Sequence, residues 1–190
     1  MKKIYSTIMM LAMMVAALGM TACSSDDDND NEGSAHKTLI IDGESYYCGN
    51  SAPGRYMCTV DQTKSGIYLE VAAIEDIHSI VPKGKELSFR ISPTKVSELS
   101  VGQVFDYAEI GRIHFGGWGA MPSTEILWYG IDGEMVIKDI KETELTIQFK
   151  NFTIKHKKTD TEHTIEGTAT LCNSTHYSDG KLMPFSETEP

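Results

Sequence analysis

The chain has 190 residues, room for one medium domain but not two comfortable ones. Its apolar fraction of 41% and charged fraction of 23% are ordinary for a globular protein, and the net charge of −10 excludes nucleic acid as an expected partner, because it repels phosphate backbones. The plain consequence of that charge is solubility. In chain order, Lys2 and Lys3 form a short basic start, and Ile8 to Gly19 is a twelve-residue apolar run. A spanning helix needs about 20 apolar residues, so residues 1–22 read as a signal peptide. Six of the ten Met lie in the first 20 residues, so the rest is less apolar than the total suggests. Removing residues 1–22 also removes Lys2 and Lys3, which takes the net charge from −10 to −12. Such a chain is repelled by an anionic membrane surface, so attachment requires an apolar anchor.

The run ends in Met20-Thr21-Ala22-Cys23. This resembles the bacterial lipobox, with Met20 where that pattern usually has Leu. The resemblance implies that the Cys23 sulfur takes a diacylglyceryl group and that cleavage leaves Cys23 as the new N-terminus. Each buried methylene then contributes about 0.8 kcal/mol, and two or more acyl chains anchor stably. No other segment approaches 18 apolar residues, so the expectation is a tethered chain that does not span. The acids of Ser24-Ser25-Asp26-Asp27-Asp28 are similar to the export signal of Bacteroidetes lipoproteins, which implies a place on the outer membrane facing the cell exterior. Residues 23–36 are then a lipidated cysteine and a polar tether, without periodicity.

From Lys37, period-2 alternation and turn dipeptides dominate. "TLIIDGESYY" predicts a strand broken at Asp42-Gly43. "RYMCTV" and "GIYLEVAAI" flank a "DQTKS" turn, and "ELSFRIS" follows Lys83-Gly84. "SPTKVSEL" is mildly helical, limited by Pro93 to about one turn, with Ser92 or Thr94 available as caps. "GRIHF" and "EILWYGI" flank a Gly-rich loop, and "GEMVIKDI" follows Asp132-Gly133. "TELTIQFKNFTIKH" and "HTIEGTATL" close the set. No internal repeat is present. The expectation is a single all-β antiparallel domain, residues 37–172, of about eight or nine strands with little or no helix, a small barrel or a sandwich. Residues 173–190 have no strand period. Leu182, Met183 and Phe185 are candidates to dock this tail, and its last residues are expected to fray.

In the last hairpin Leu145, Ile147 and Phe149 share a face, and the phase then flips to Phe152 and Ile154. A one-residue bulge near Lys150-Asn151 accounts for the flip. Pairing Ile154 with Ile165 places Phe152 over Gly167, with "KKTDTE" as the loop. This hairpin, roughly the last third of the domain, is similar to the ends of many Bacteroidetes lipoproteins. That resemblance implies a small antiparallel fold such as a calycin-like (lipocalin-like) barrel, and no catalytic residues.

Cys48, Cys58 and Cys172 are an odd number, so at least one has no intrachain disulfide partner. A hairpin of residues 39–48 and 56–60 would place Cys48 opposite Cys58. Cys172 with Cys48 requires adjacent first and last strands, and no disulfide at all is the third arrangement. Zinc is not expected, because no C-x-x-C pair occurs. His156 and His163 fall opposite each other in the register above, at the mouth of the hairpin, with Asp160 and Glu162 near; solvated hairpin-end histidines are the plain reading. No nucleophile elbow, zincin helix, Walker loop or dinucleotide fingerprint is present, so the expectation is no enzyme and no cofactor.

"HFGGWGAMPSTEILWYG" holds both tryptophans. Trp118 sits among glycines, either as an aromatic platform for a sugar ring or apolar ligand, or as a plug closing one end of the fold. Trp128 and Tyr129 point to opposite faces, so one belongs to the core. Two functions fit: a binding module for a glycan or small apolar ligand, using Trp118, Trp128 and Tyr129, or a structural or accessory subunit of a surface protein complex. A hydrolase would need carboxylates or histidines converging in a cleft.

Overall fold

A computed structural model of the protein describes residues 37–48, 58–76, 83–117 and 127–190. Alternating apolar positions there make ten strands of one sheet: β1 (Lys37–Ile41), β2 (Glu44–Cys48), β3 (Thr59–Thr63), β4 (Gly66–Ile74), β5 (Gly84–Ile91), β6 (Val104–Asp106), β7 (Gly111–Gly117), β8 (Trp128–Ile140), β9 (Glu144–His156) and β10 (Glu162–Asn173). Helical structure among the described residues is two single 3-10 turns, Val96–Glu98 and Phe185–Glu187. The fold is all-β, as the alternation predicts.

The neighbours β1, β2, β4, β5, β7, β8, β9 and β10 pair antiparallel in that order, and β10 returns to pair with β1, so the sheet is ring-like. The route from β10 to β4 differs at the two ends. Toward the Asp42-Gly43 turn it passes through both β1 and β2. At the other end β3 alone fills it, parallel to β10 and antiparallel to β4. One end therefore carries an extra strand, and a ring with more strands is wider.

Two strands of the ring are interrupted. Both β2 and β3 run down the same edge of β4: Cys48 lies opposite Ala73, and Thr59 opposite Glu70. Likewise β6 and β7 share an edge of β8, with Asp106 opposite Glu134 and Ile113 opposite Trp128. The short β6 has no clear signature in the sequence.

The interior, among the described residues, is packed with apolar side chains. Leu39, Leu69, Phe89, Phe149, Phe152 and Ile165 are among its fully buried side chains, and burying each contributes about 1.5–3 kcal/mol before entropy is counted. The narrow end is closed by Val96, Leu99, Phe105 and Phe185, all buried. There the buried Gln62 amide donates to the Phe185 carbonyl (2.8 Å) and the Thr188 hydroxyl (3.0 Å), and its oxygen accepts the Val96 N–H (2.6 Å). Asn173 donates to the Met183 carbonyl at 2.8 Å. The tail is thus stitched to the domain, and near its end Glu189 takes hydrogen bonds from Lys95 (2.7 Å) and Ser97 (2.6 Å).

Several local expectations change. Asp61, Gln62 and Thr63 belong to β3, and only Lys64-Ser65 turns. Asp132-Gly133 does not end a strand; it is a bulge inside β8, where Gly133 has φ +82° and lies against the Asn151 backbone. Neither Ser92 nor Thr94 caps the 3-10 turn through its side chain; instead the Thr94 N–H donates to Glu98 at 3.1 Å. The β9 bulge is where the phase flip places it, with Asn151 at φ +47°. The register beside it is shifted by two residues. Ile154 faces His163, Phe152 faces Ile165 and Phe149 faces Gly167. The shift comes from a tighter turn, in which His156 N–H donates to the Thr161 carbonyl and Asp160 N–H to the His156 carbonyl.

Candidate binding site at the aromatic end

The wide end is formed where β7 and β9 finish and β8 and β10 begin. Alternation carries the inward face of each strand to its last residues. Phe115 lies two beyond the buried Ile113, His156 two beyond Ile154, and His163 two before Ile165. Trp128 pairs with both Ile113 and His156. These four side chains form one half-buried aromatic layer above the aliphatic core. Phe115 and Trp128 meet edge-to-face at 5.4 Å. The His163 ring is 4.7 Å from Phe115 and 5.3 Å from Trp128, and the His156 ring is 4.8 Å from Trp128. Offset and edge-on geometries of this kind favour aromatic pairs over face-to-face stacking.

Asp42 fixes one side of the layer. It occupies the left-handed position of the β1–β2 turn, φ +54°, which Asp tolerates better than most residues. One of its oxygens meets His163 Nδ1 at 2.5 Å, and the other accepts the Thr164 N–H at 2.9 Å. Its own N–H donates to the Thr164 carbonyl at 3.0 Å. The carboxylate thus orients the His163 ring through Nδ1. His156 is anchored differently: its Nδ1 accepts the Thr159 N–H at 3.2 Å, and the Thr159 hydroxyl lies 2.8 Å away. On the outer side of the same hairpin, Lys155 bonds Glu162 (3.1 Å) and Asp160 (3.4 Å). Those carboxylates hold its ammonium above the ordinary lysine range.

The two histidines therefore do not face each other across the hairpin; they converge on Trp128. No group of three or more His, Cys, Asp or Glu suited to a metal occurs among the described residues. Of the sequence candidates, Trp128 is the inward aromatic and Tyr129 the exposed one, on the outer face. Trp118 and Cys23, the cysteine expected to be lipidated, lie outside the described residues. Phe115 and Asp42 were not singled out from the sequence. Phe115 follows from the alternation of "GRIHF", whereas nothing local in "DG" announces a contact 121 residues away.

Cys48 and Cys58 are thiols hydrogen-bonded to each other, with sulfurs 3.5 Å apart. They do not oppose each other across a hairpin. They stand at the end of β2 and just before β3, in line along β4. A separate shallow groove of about 430 Å³ on the outer face is lined by residues including Asp106, Tyr107, Asp132 and Glu134. Its Lys150 is already paired with Glu134 at 2.7 Å.

No protein-family model matches the chain, and neither a curated protein nor a solved structure matches it.

Proposed function

We propose that the protein is a non-enzymatic lipoprotein, lipid-anchored through Cys23 on the outer membrane and facing the cell exterior, whose β domain binds a glycan or a small apolar ligand. The observation that carries the binding reading is the half-buried layer of Phe115, Trp128, His156 and His163 over an apolar core at the wide end of the ring. These four side chains are only half-buried, so a ligand can reach them at the rim. Ring faces and edges suit the C–H surface of a sugar or an apolar ring, and the imidazoles add polar atoms that orient it. Asp42 and His163 make an oriented pair, but hydrolysis would also require a nucleophile at the free edge of His163, so binding is the simpler use of this geometry.

A glycan and lipid screen on the whole protein tests this, with Trp128→Ala and Trp118→Ala as controls. Trp128→Ala is expected to weaken a hit by about tenfold or more, roughly 1.4 kcal/mol. Equal binding by wild type and Trp128→Ala overturns the site. The apolar-packed interior also suits an accessory subunit of a surface complex, with Tyr107 and Tyr129 exposed beside β8; capture of a surface protein through those tyrosines, with no glycan or lipid hit, would favour that role. Location is tested by protease shaving of intact cells: digestion before lysis is expected, and protection until lysis contradicts surface display.

A further inference from the structure

β4 runs unbroken past the point where β2 stops and β3 starts. The register leaves Val71 and Ala72 opposite neither strand, between Ala73 (facing Cys48) and Glu70 (facing Thr59). A sulfur occupies that gap. Cys58 Sγ accepts the Ala72 N–H at 3.4 Å and approaches the Ala72 carbonyl at 3.7 Å. Cys58 is buried, while Cys48 is half-buried, and their sulfurs are 3.5 Å apart. Around it Val71, Ala72 and Ala73 are buried, and the Cys172 N–H donates to the Cys58 carbonyl at 3.0 Å.

From this geometry we infer that Cys48 and Cys58 are a preorganised redox clasp that closes to a disulfide and joins the two halves of the interrupted strand. A sulfur–sulfur bond is about 2.05 Å, so closure from 3.5 Å needs the sulfurs to approach by about 1.5 Å. The oxidant is a disulfide, of the thiol–disulfide oxidoreductase or glutathione class. The more accessible Cys48 loses its proton, and its thiolate attacks one sulfur of that disulfide, expelling the other as a thiolate. Cys58, deprotonated in turn, attacks the Cys48 sulfur of the mixed disulfide and releases the second thiolate. The two protein protons end on the two released sulfurs. The protein pair is oxidised by two electrons, and the oxidant is reduced by two.

The hydrogen bond to Cys58, together with burial, holds the Cys48 thiol well above the ordinary cysteine range. Uncatalysed closure is therefore slow near neutrality and accelerates as pH rises, because the thiolate is the attacking form. Once closed, the bond removes loop entropy from the unfolded chain.

The test uses the full chain carrying Cys23→Ser, so that the N-terminal thiol does not enter the count, held in a buffer of oxidised and reduced glutathione. Thiols are then alkylated in denaturant, and the protein is weighed intact and peptide-mapped. The expected product carries one alkyl group, on Cys172, where the reduced chain carries three, and its peptides of Cys48 and Cys58 are linked with the loss of two hydrogen atoms. Its melting temperature should rise by roughly 5–10 °C over the reduced form. Cys48→Ser, which leaves the buried Cys58 in place, should show neither the link nor the rise. Alkylation of Cys48, Cys58 and Cys172 alike after oxidation overturns the clasp, and so does a link that uses Cys172. Neither result bears on ligand binding at the aromatic end.

Discussion

At position 167 the backbone of β10 lies directly beside β1, opposite Leu39. A Cβ there would collide with the Thr38 carbonyl oxygen, and φ is +103°, a conformation that side chains resist. Gly167→Ala is therefore expected to cost more than about 2 kcal/mol of stability, read as a lower urea midpoint at unchanged slope. The alternation in "HTIEGTATL" locates this glycine on the inward face, but the reason for it was not legible. The sequence suggests an aromatic ring laid over a glycine, whereas the neighbour that forbids a side chain is the first strand, more than a hundred residues earlier. Asp42 is a parallel case. It is readable as a turn residue, yet its bonds to His163 and Thr164 depend on ring closure. Asp42→Asn keeps the turn and removes the charge facing His163, so it is expected to weaken ligand binding more than it lowers stability. Calorimetric titration beside thermal melts separates the two effects.

The last hairpin shows the limit of pattern reading for whole elements. Registers that differ by two residues keep every side chain on its own face, so alternation cannot distinguish them. The choice falls to the turn, where Thr159, Asp160 and Thr161 bond back to His156. The tail poses the opposite problem. It lacks periodicity because its order comes from single polar anchors on distant elements. Gln62 links β3 to both 3-10 turns through three hydrogen bonds. Gln62→Ala should cost about 2–3 kcal/mol, because it leaves buried groups unsatisfied, and should expose the tail to limited proteolysis. The Glu189 carboxyl is held below the ordinary glutamate range by Lys95 and Ser97. Its contribution is complete above the unfolded glutamate value, about 4.3, and is lost as pH falls through the lowered folded value. Glu189 in turn raises Lys95, so that side of the ion pair is lost only as pH rises through the raised lysine value. Amide protection factors in residues 185–189 should therefore stay high at neutral pH and fall in acid once corrected for the intrinsic exchange rate, and Glu189→Gln should abolish that acid dependence.

For the whole molecule, the eight or nine short strands read from the sequence point correctly to one all-β domain, which has ten among the described residues, but ring closure was not available from local pattern. It depends on β10 returning to β1 and on β3 filling the gap between β10 and β4 at one end only. That asymmetry gives the molecule a narrow end sealed by the tail and the 3-10 turns, and a wide end finished by an aromatic layer. The central claim is that the wide end is where a ligand sits. Its most direct test is the emission of the Trp118→Phe chain, in which Trp128 is the single tryptophan, during titration with a glycan or apolar ligand selected by the screen. The account predicts a saturable change in Trp128 emission that follows the binding isotherm measured by calorimetry. Calorimetric binding with Trp128 emission unchanged would contradict it.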